Sequence, residues 1–124
     1  MNETMLYVGA AIITIWGIGH LVPTKSIVKD FGAISADNRQ IITMEWIAEG
    51  LTLCFIGLLV LFVTLLGDVP SPTAIIVYRA AAGMLIAMAI LTGLTGARTP
   101  ILPIKACPYV KTTVAVLFIL GSIL

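Results

Sequence analysis

The sequence predicts an all-α integral membrane protein, an antiparallel four-helix bundle with both termini outside the cytoplasm. Hydrophobic residues make up 60% of the 124-residue chain and charged residues only 10%, whereas soluble domains carry about 25% charged residues. Four apolar stretches, at 5–22, 44–66, 73–97 and 108–124, reach or approach the roughly 20 residues that cross a bilayer. Six of the seven basic residues fall on one side of the resulting helix plan, which sets the predicted orientation.

Length and composition predict one four-transmembrane-helix domain over 1–124, with helices at about 2–22, 38–66, 73–97 and 107–124. A net charge of +1 gives no electrostatic reason to bind nucleic acid. No Cys-x-x-Cys motif is present, which argues against a thiol–disulfide membrane enzyme. Cys54 is therefore interpreted as a small buried apolar residue.

The first apolar stretch is interpreted as a retained helix rather than a signal peptide. Glu3 stands where a signal peptide has a basic region, and Pro23-Thr-Lys25 follows instead of a small-residue cleavage site. Pro23 should end the helix, because the residue before a proline is disfavoured in the helical region. The mixed segment 24–36 is expected to form a short amphipathic turn at the membrane interface.

The remaining helix ends follow from cap and proline signals. Asp37 is the predicted N-cap of helix 2, whose length of about 44 Å exceeds the hydrocarbon core and places its first two turns among the headgroups. Pro70 and Pro72 predict a tight turn before helix 3. Pro103 and Pro108 are expected to keep the connection before helix 4 extended. Short connections make successive helices antiparallel neighbours.

Small residues four apart on helix 3 predict close helix contacts: Gly83, Ala87, Ala89, Gly93 and Ala97. Two interpretations of this stripe of small residues stay open. The stripe either packs against another helix of the same chain or forms the seam of a homodimer.

The basic residues on the shared side are Lys25, Lys29, Arg39, Arg98, Lys105 and Lys111. Short loops follow the positive-inside rule, so this side is predicted to be cytoplasmic, in an inner or plasma membrane. Arg79 is the exception and leans toward the outer side. It is expected to snorkel or to pair with Asp68 or Glu3, the alternative being an anion- or carbonyl-binding role.

Ionisable residues from three helices converge at one depth of the predicted bundle. His20 ends helix 1, Glu45 and Glu49 lie on one face of helix 2, and Lys111 lies about one turn into helix 4. A charge at the centre of a membrane helix costs ~2.5–3.5 kcal/mol, so Glu49 should face the interior and pair with Lys111 or His20. His20, Glu45 and Glu49 are accordingly the candidate catalytic residues for acid–base chemistry.

The candidate ligand-binding residues are Trp16, Trp46, Arg79, Tyr109 and Lys111. Their cofactor is unknown, and a quinone-like ligand is compatible with the aromatic lining. No metal site is predicted, because no spacing typical of a metal motif is present. A bis-histidine haem site is not predicted, since no second histidine exists, and ligation of haem by His20 and Met44 is disfavoured.

Two short patches resemble DoxX-like membrane proteins, which are four-helix proteins of similar length. The first is Gly17-Ile-Gly19-His20 before Pro23, and the second is Glu45-Trp46-Ile-Ala-Glu49-Gly50, followed by Gly57-Leu-Leu. The resemblance covers the whole chain in architecture but only these patches in residues. It implies an association with membrane redox or quinone-linked chemistry and carries over no catalytic residue.

Three functional hypotheses follow. The first is a site for a small lipophilic molecule (a quinone, an isoprenoid or a lipid-like species), with His20 and Glu49 as proton donor and acceptor, in an enzyme or an enzyme subunit. The second is an accessory membrane subunit without chemistry of its own. The third is a proton-coupled transporter of the small multidrug resistance kind, although helix 1 lacks the mid-membrane acid of that family. The expected partners are the lipid bilayer, the lipophilic molecule, and a second copy or a partner subunit.

Overall fold

The computed structural model describes residues 1–124 and contains only helices and loops. The α-helices are α1 (Glu3–Leu21), α2 (Thr24–Asp30), α3 (Ala36–Leu66), α4 (Pro72–Leu94) and α5 (Leu102–Ile123), with a 3₁₀ turn at Gly96–Arg98. All but α2 are long and apolar enough to span a membrane. The predicted all-α fold with four spanning helices is therefore confirmed.

The four long helices enclose one apolar core and present a second apolar surface outward. Leu6, Ile13, Leu53, Leu85 and Phe118 are fully buried and come from all four long helices. Large apolar side chains also cover the outside of the bundle, where Ile15 is 69% exposed and Leu91 64%. A helix that is apolar all round is typical of a membrane span.

Glycines set the close approach of α1 to α3. A Cβ atom on Gly17 would lie 2.9 Å from the backbone nitrogen of Cys54 and 3.0 Å from the carbonyl oxygen of Gly50. The first distance is shorter than real Cβ atoms show and the second is at that limit, and both involve backbone atoms, so glycine is required for this spacing at Gly17. His20 lies one turn after Gly17 and Glu49 directly precedes Gly50. The glycine contact therefore fixes the separation of these two ionisable side chains.

The start of α3 differs in detail from the prediction. The segment expected to form a short amphipathic turn contains the short helix α2, which buries Val28. The N-cap of α3 is Ser35 rather than Asp37, because the Ser35 hydroxyl accepts a hydrogen bond from the Asn38 backbone N–H at 3.2 Å. Asp37 lies instead in the first turn of α3, where its negative charge interacts favourably with the helix dipole.

Helix α5 begins well before the predicted position. The extended connection expected around Pro103 and Pro108 is wrong, since both prolines lie inside α5. Pro103 occupies the first turn, where a missing N–H loses no intrahelical bond. The backbone N–H of Lys105 donates to the Ile101 carbonyl at 3.1 Å, which shows that the helix is already formed ahead of Pro108.

The small-residue stripe on α4 divides into two faces. Ala89 is buried in the bundle. Gly83, Ala87 and Gly93 are exposed, and open space surrounds the Cβ positions of both glycines. Packing within the chain is therefore the wrong interpretation for these three residues, and the homodimer seam stays a prediction.

Candidate functional site

A fully buried lysine lies at the centre of the polar side chains. The Lys111 ammonium on α5 donates hydrogen bonds to Glu49 Oε1 on α3 and to Thr92 Oγ1 on α4, the latter at 2.9 Å. The Thr92 hydroxyl donates its own proton to the Met88 carbonyl at 2.8 Å, which leaves its oxygen free to accept from Lys111. A buried charge requires such partners, because water no longer solvates it.

Glu49 divides its two oxygens between two cationic or potentially cationic groups. Oε1 accepts from Lys111, and Oε2 lies 3.8 Å from His20 Nε2. The second separation exceeds hydrogen-bond range but still allows electrostatic attraction if the imidazole is protonated. The predicted pairing of Glu49 with Lys111 is confirmed, as is its orientation toward α1 and α5, whereas His20 lies near the carboxylate without a hydrogen bond to it. The Glu49 side chain is nevertheless 31% exposed, against 0% for Lys111 and 10% for His20.

Trp46 holds the histidine in place. The two rings are stacked, with centroids 3.9 Å apart and an interplanar angle of 14°. The Trp46 indole N–H donates to the His20 carbonyl at 2.8 Å, so the same residue anchors both the backbone and the ring. His20 Nε2 is buried and has no hydrogen-bond partner. We refer to His20, Glu49, Thr92 and Lys111 as the charged cluster.

A second tryptophan borders the charged cluster on α1. The Trp16 indole N–H donates to the Cys107 sulfur at 3.4 Å. Cys107 is 4% exposed and lies one turn before Lys111 on α5. Trp16 lies one turn before His20 on α1, and Trp46 lies one turn before Glu49 on α3. Both predicted ligand-binding tryptophans are thus next to the charged cluster.

Three of the predicted site residues lie apart from the charged cluster. Glu45 is exposed and forms no ion pair, although it shares a helix face with Glu49. Tyr109 is 77% exposed. Arg79 is in the opposite half of the bundle, where its Nε donates to Ser122 Oγ at 3.5 Å and pairs with neither Asp68 nor Glu3.

Sequence reasoning missed Thr92 and Cys107 as neighbours of the site. Thr92 is the only polar side chain in the C-terminal half of α4, and that isolated position was the available signal. Cys107 lies four residues before Lys111, which places the two side chains on one face of α5.

Two open grooves lie beside the charged cluster without including it. Their volumes are about 590 Å³ and 550 Å³, and both run along the N-terminal half of α3. Thr43, Ile47 and Leu51 line both grooves. Neither groove is lined by His20, Glu49 or Lys111, and Glu49 has the most exposed side chain of these three.

No protein-family model, curated protein or solved structure matches this chain. The class that the structure defines is a helical protein with four helices suited to span a membrane. The resemblance to DoxX-like proteins stays a prediction.

Proposed function

We propose that the charged cluster binds a small lipophilic molecule with a carbonyl or hydroxyl group and exchanges a proton with it. A quinone, an isoprenoid or a lipid-like species fits this description. The observation that carries the proposal is the buried, unpartnered Nε2 of His20 next to the partly exposed carboxylate of Glu49. An unsatisfied buried polar atom in a native structure calls for an explanation, and a bound ligand supplies one.

The three ionisable residues have separable roles in this proposal. Lys111 neutralises and orients Glu49 through Oε1. His20 Nε2 donates a proton to the ligand when the imidazole is charged and accepts one when it is neutral. Glu49 Oε2 faces the imidazole and supplies the compensating charge. Such a pair within a bundle shielded from water is suited to general acid–base chemistry.

Trp46 supports this role by restricting the imidazole. A ring that is both stacked and anchored through its backbone loses little rotational freedom when a ligand binds. The tryptophan face also attracts a protonated imidazole. The resemblance to DoxX-like proteins points in the same direction, toward quinone-linked chemistry in a membrane.

The competing interpretation is an accessory subunit in which Lys111 and Glu49 form a structural ion pair. The full burial of Lys111 and its two hydrogen bonds favour that interpretation. His20 distinguishes the two, because a structural pair between α3 and α5 is complete without a histidine from α1.

The test measures binding of a short-chain ubiquinone analogue to the full-length protein in lipid nanodiscs, by quenching of Trp16 and Trp46 fluorescence. We expect His20→Ala and Glu49→Gln to weaken binding at least tenfold, which corresponds to about 1.4 kcal/mol. Asp37→Asn is the matched control, since it removes an exposed carboxylate from the same helix. A Glu49→Gln protein that binds like the unmodified protein would show that the Glu49 charge is not needed for the ligand, and would overturn the role proposed for it.

We further propose that both termini face outward and that the segments 23–43 and 98–107 are cytoplasmic, as the basic asymmetry predicts. Single cysteines at Ser71 and Thr99, introduced after Cys54 and Cys107 are replaced by serine, report the two sides. A membrane-impermeant maleimide should label position 71 in intact cells and leave position 99 unlabelled. The reverse pattern would invert the topology.

A further inference from the structure

We propose that the two grooves along α3 form a binding site for one anionic phospholipid, separate from the charged cluster. The phosphate headgroup lies near Lys25 and Arg39, and one acyl chain occupies each groove. Neither residue was singled out as a ligand contact by the sequence.

The shape of the surface fits a two-chain lipid. Thr43, Ile47 and Leu51 are spaced four apart and form a ridge that both grooves share. One groove continues toward Met44 and Ala48 on α3, and the other lies between the ridge and the end of α1. The grooves hold about 590 Å³ and 550 Å³ and are open toward the outside of the bundle. A ridge with a groove on either side can separate the two chains of one lipid.

Polarity changes along the grooves in the way that a phospholipid requires. Arg39 lies in the first turns of α3 and lines one groove, whereas Lys25 lies on α2 and lines the other. Lys25 and Arg39 therefore both border the N-terminal end of α3, ahead of its apolar residues. Farther along α3 the lining becomes apolar, with the exposed Ile47 and Leu51 in both grooves. A cationic entrance followed by an apolar track matches a headgroup followed by acyl chains.

The charges at this entrance favour an anionic headgroup. Lys25 and Arg39 are exposed, and Arg39 uses only one long hydrogen bond, from Nη2 to the Gly32 carbonyl at 3.4 Å. Its remaining N–H groups can bind a phosphate. The nearby carboxylates of Asp30, Asp37 and Glu45 line neither groove. Basic residues close to the membrane surface attract anionic lipids of the cytoplasmic leaflet.

The test is native mass spectrometry of the full-length protein in a mild detergent. Dipalmitoyl phosphatidylglycerol and dipalmitoyl phosphatidylcholine are added separately, so that only the headgroup differs. We expect one phosphatidylglycerol per chain to be retained roughly 10- to 30-fold more strongly than phosphatidylcholine, from two surface cations. High salt should reduce the difference, since it screens exposed charges.

Two sets of variants locate the lipid. Lys25→Gln combined with Arg39→Gln should abolish the preference for phosphatidylglycerol. The matched control, Lys29→Gln with Lys105→Gln, removes the same charge from exposed positions outside both grooves and should retain it. Ile47→Trp, on the shared ridge, should displace the lipid while leaving both cations in place.

Equal loss in the control pair would show that net charge alone retains the lipid, and would overturn the site. Equal retention of the two lipids would overturn the headgroup preference, and retention by Ile47→Trp would overturn the placement in the grooves. Glu49→Gln should leave phosphatidylglycerol retention unchanged. Loss of lipid in that variant would contradict the separation from the charged cluster.

Discussion

Two sets of polar side chains connect the helices inside the bundle, and they differ in how completely their hydrogen bonds are satisfied. At the end of the bundle near residues 67–71, the fully buried Tyr78 of α4 lies 3.0 Å from the Thr64 hydroxyl of α3. Thr64 donates its proton to the Val60 carbonyl at 2.7 Å, so Tyr78 is the donor to Thr64. At the other end, the charged cluster joins all four long helices and leaves His20 Nε2 without a partner.

We call the Thr64–Tyr78 contact closed, because its hydrogen-bonding groups are satisfied, and the charged cluster open, because His20 Nε2 has no partner. The Thr64–Tyr78 contact is neutral, uses each hydroxyl proton and needs no further partner. The charged cluster holds formal charges and retains unused hydrogen-bonding capacity. In an environment of low dielectric constant, satisfied networks stiffen a structure, whereas an unsatisfied group is destabilising until something binds it. The difference indicates that only the charged cluster is prepared for a ligand.

Lys111→Met should produce the largest loss of stability. It removes one partner of a buried ion pair and leaves the Glu49 carboxylate without its cation, which typically costs ~3–5 kcal/mol. Denaturant unfolding of the protein in detergent micelles, followed by far-UV circular dichroism, measures the change in free energy.

The double variant Lys111→Met with Glu49→Gln removes both charges and should regain most of the lost stability. Quinone-analogue binding should stay absent in the double variant, however well it folds. Recovery of quinone-analogue binding together with stability would show that the two charges are not needed for binding.

Gly17→Ala should have the next largest effect, because it acts on the spacing that brings His20 to Glu49. Its Cβ would collide with the α3 backbone at Cys54 and Gly50, and overpacking of this kind costs about 1–3 kcal/mol. The matched control is Gly19→Ala, since nothing lies within 4 Å of that Cβ position. Unfolding midpoints and the near-UV circular dichroism of Trp46 measure the two outcomes. Equal effects in both variants would show that the close α1–α3 approach is unimportant.

Tyr78→Phe should cost only about 0.5–1.5 kcal/mol, the net contribution of one neutral hydrogen bond. Thr64 retains its bond to the Val60 carbonyl in this variant, so no donor is left without a partner. Quinone-analogue binding should remain unchanged when measured beside stability. A binding defect as large as that of Glu49→Gln would contradict the contrast between the closed and the open contact.

Glu45→Gln should have the smallest effect, within about 0.5 kcal/mol, as is usual for exposed positions without partners. Glu45 lies one turn from Glu49 on the same face of α3. Comparing the two variants therefore separates the effect of burial and ion pairing from the effect of position along the helix. Parallel unfolding curves of Glu45→Gln and Glu49→Gln provide the measurement. A loss at Glu45 that matches the loss at Glu49 would extend the site toward the end of α3.

The sequence predicts the parts of this architecture that depend on solvation. The apolar stretches locate the four long helices, and the insertion cost of a carboxylate predicts that Glu49 turns toward Lys111 and His20. Both results rest on large free energies that few local details can reverse.

The details that the sequence does not predict depend on small differences. Ser35 and Asp37 are both good N-caps, and their competition moves the start of α3. Prolines 103 and 108 signal a helix break, yet one is tolerated in the first turn of α5 and the other inside it. The contact of Thr92 with Lys111 cannot be predicted from the sequence, because a threonine hydroxyl can bond to the preceding turn of its own helix and needs no tertiary partner.

Helices α1 and α3 pack side by side but differ greatly in length, with 19 and 31 residues. At 1.5 Å per residue they extend about 28 Å and about 46 Å, against a hydrocarbon thickness of ~30 Å. The extra length of α3 begins with Ala36 and the polar residues 37–40, so it does not enlarge the apolar length that a bilayer has to match. In a bilayer of this thickness, α1 would span little more than the hydrocarbon core, whereas the first turns of α3 would project into the headgroup region. The two helices that carry His20 and Glu49 would thus end at different depths.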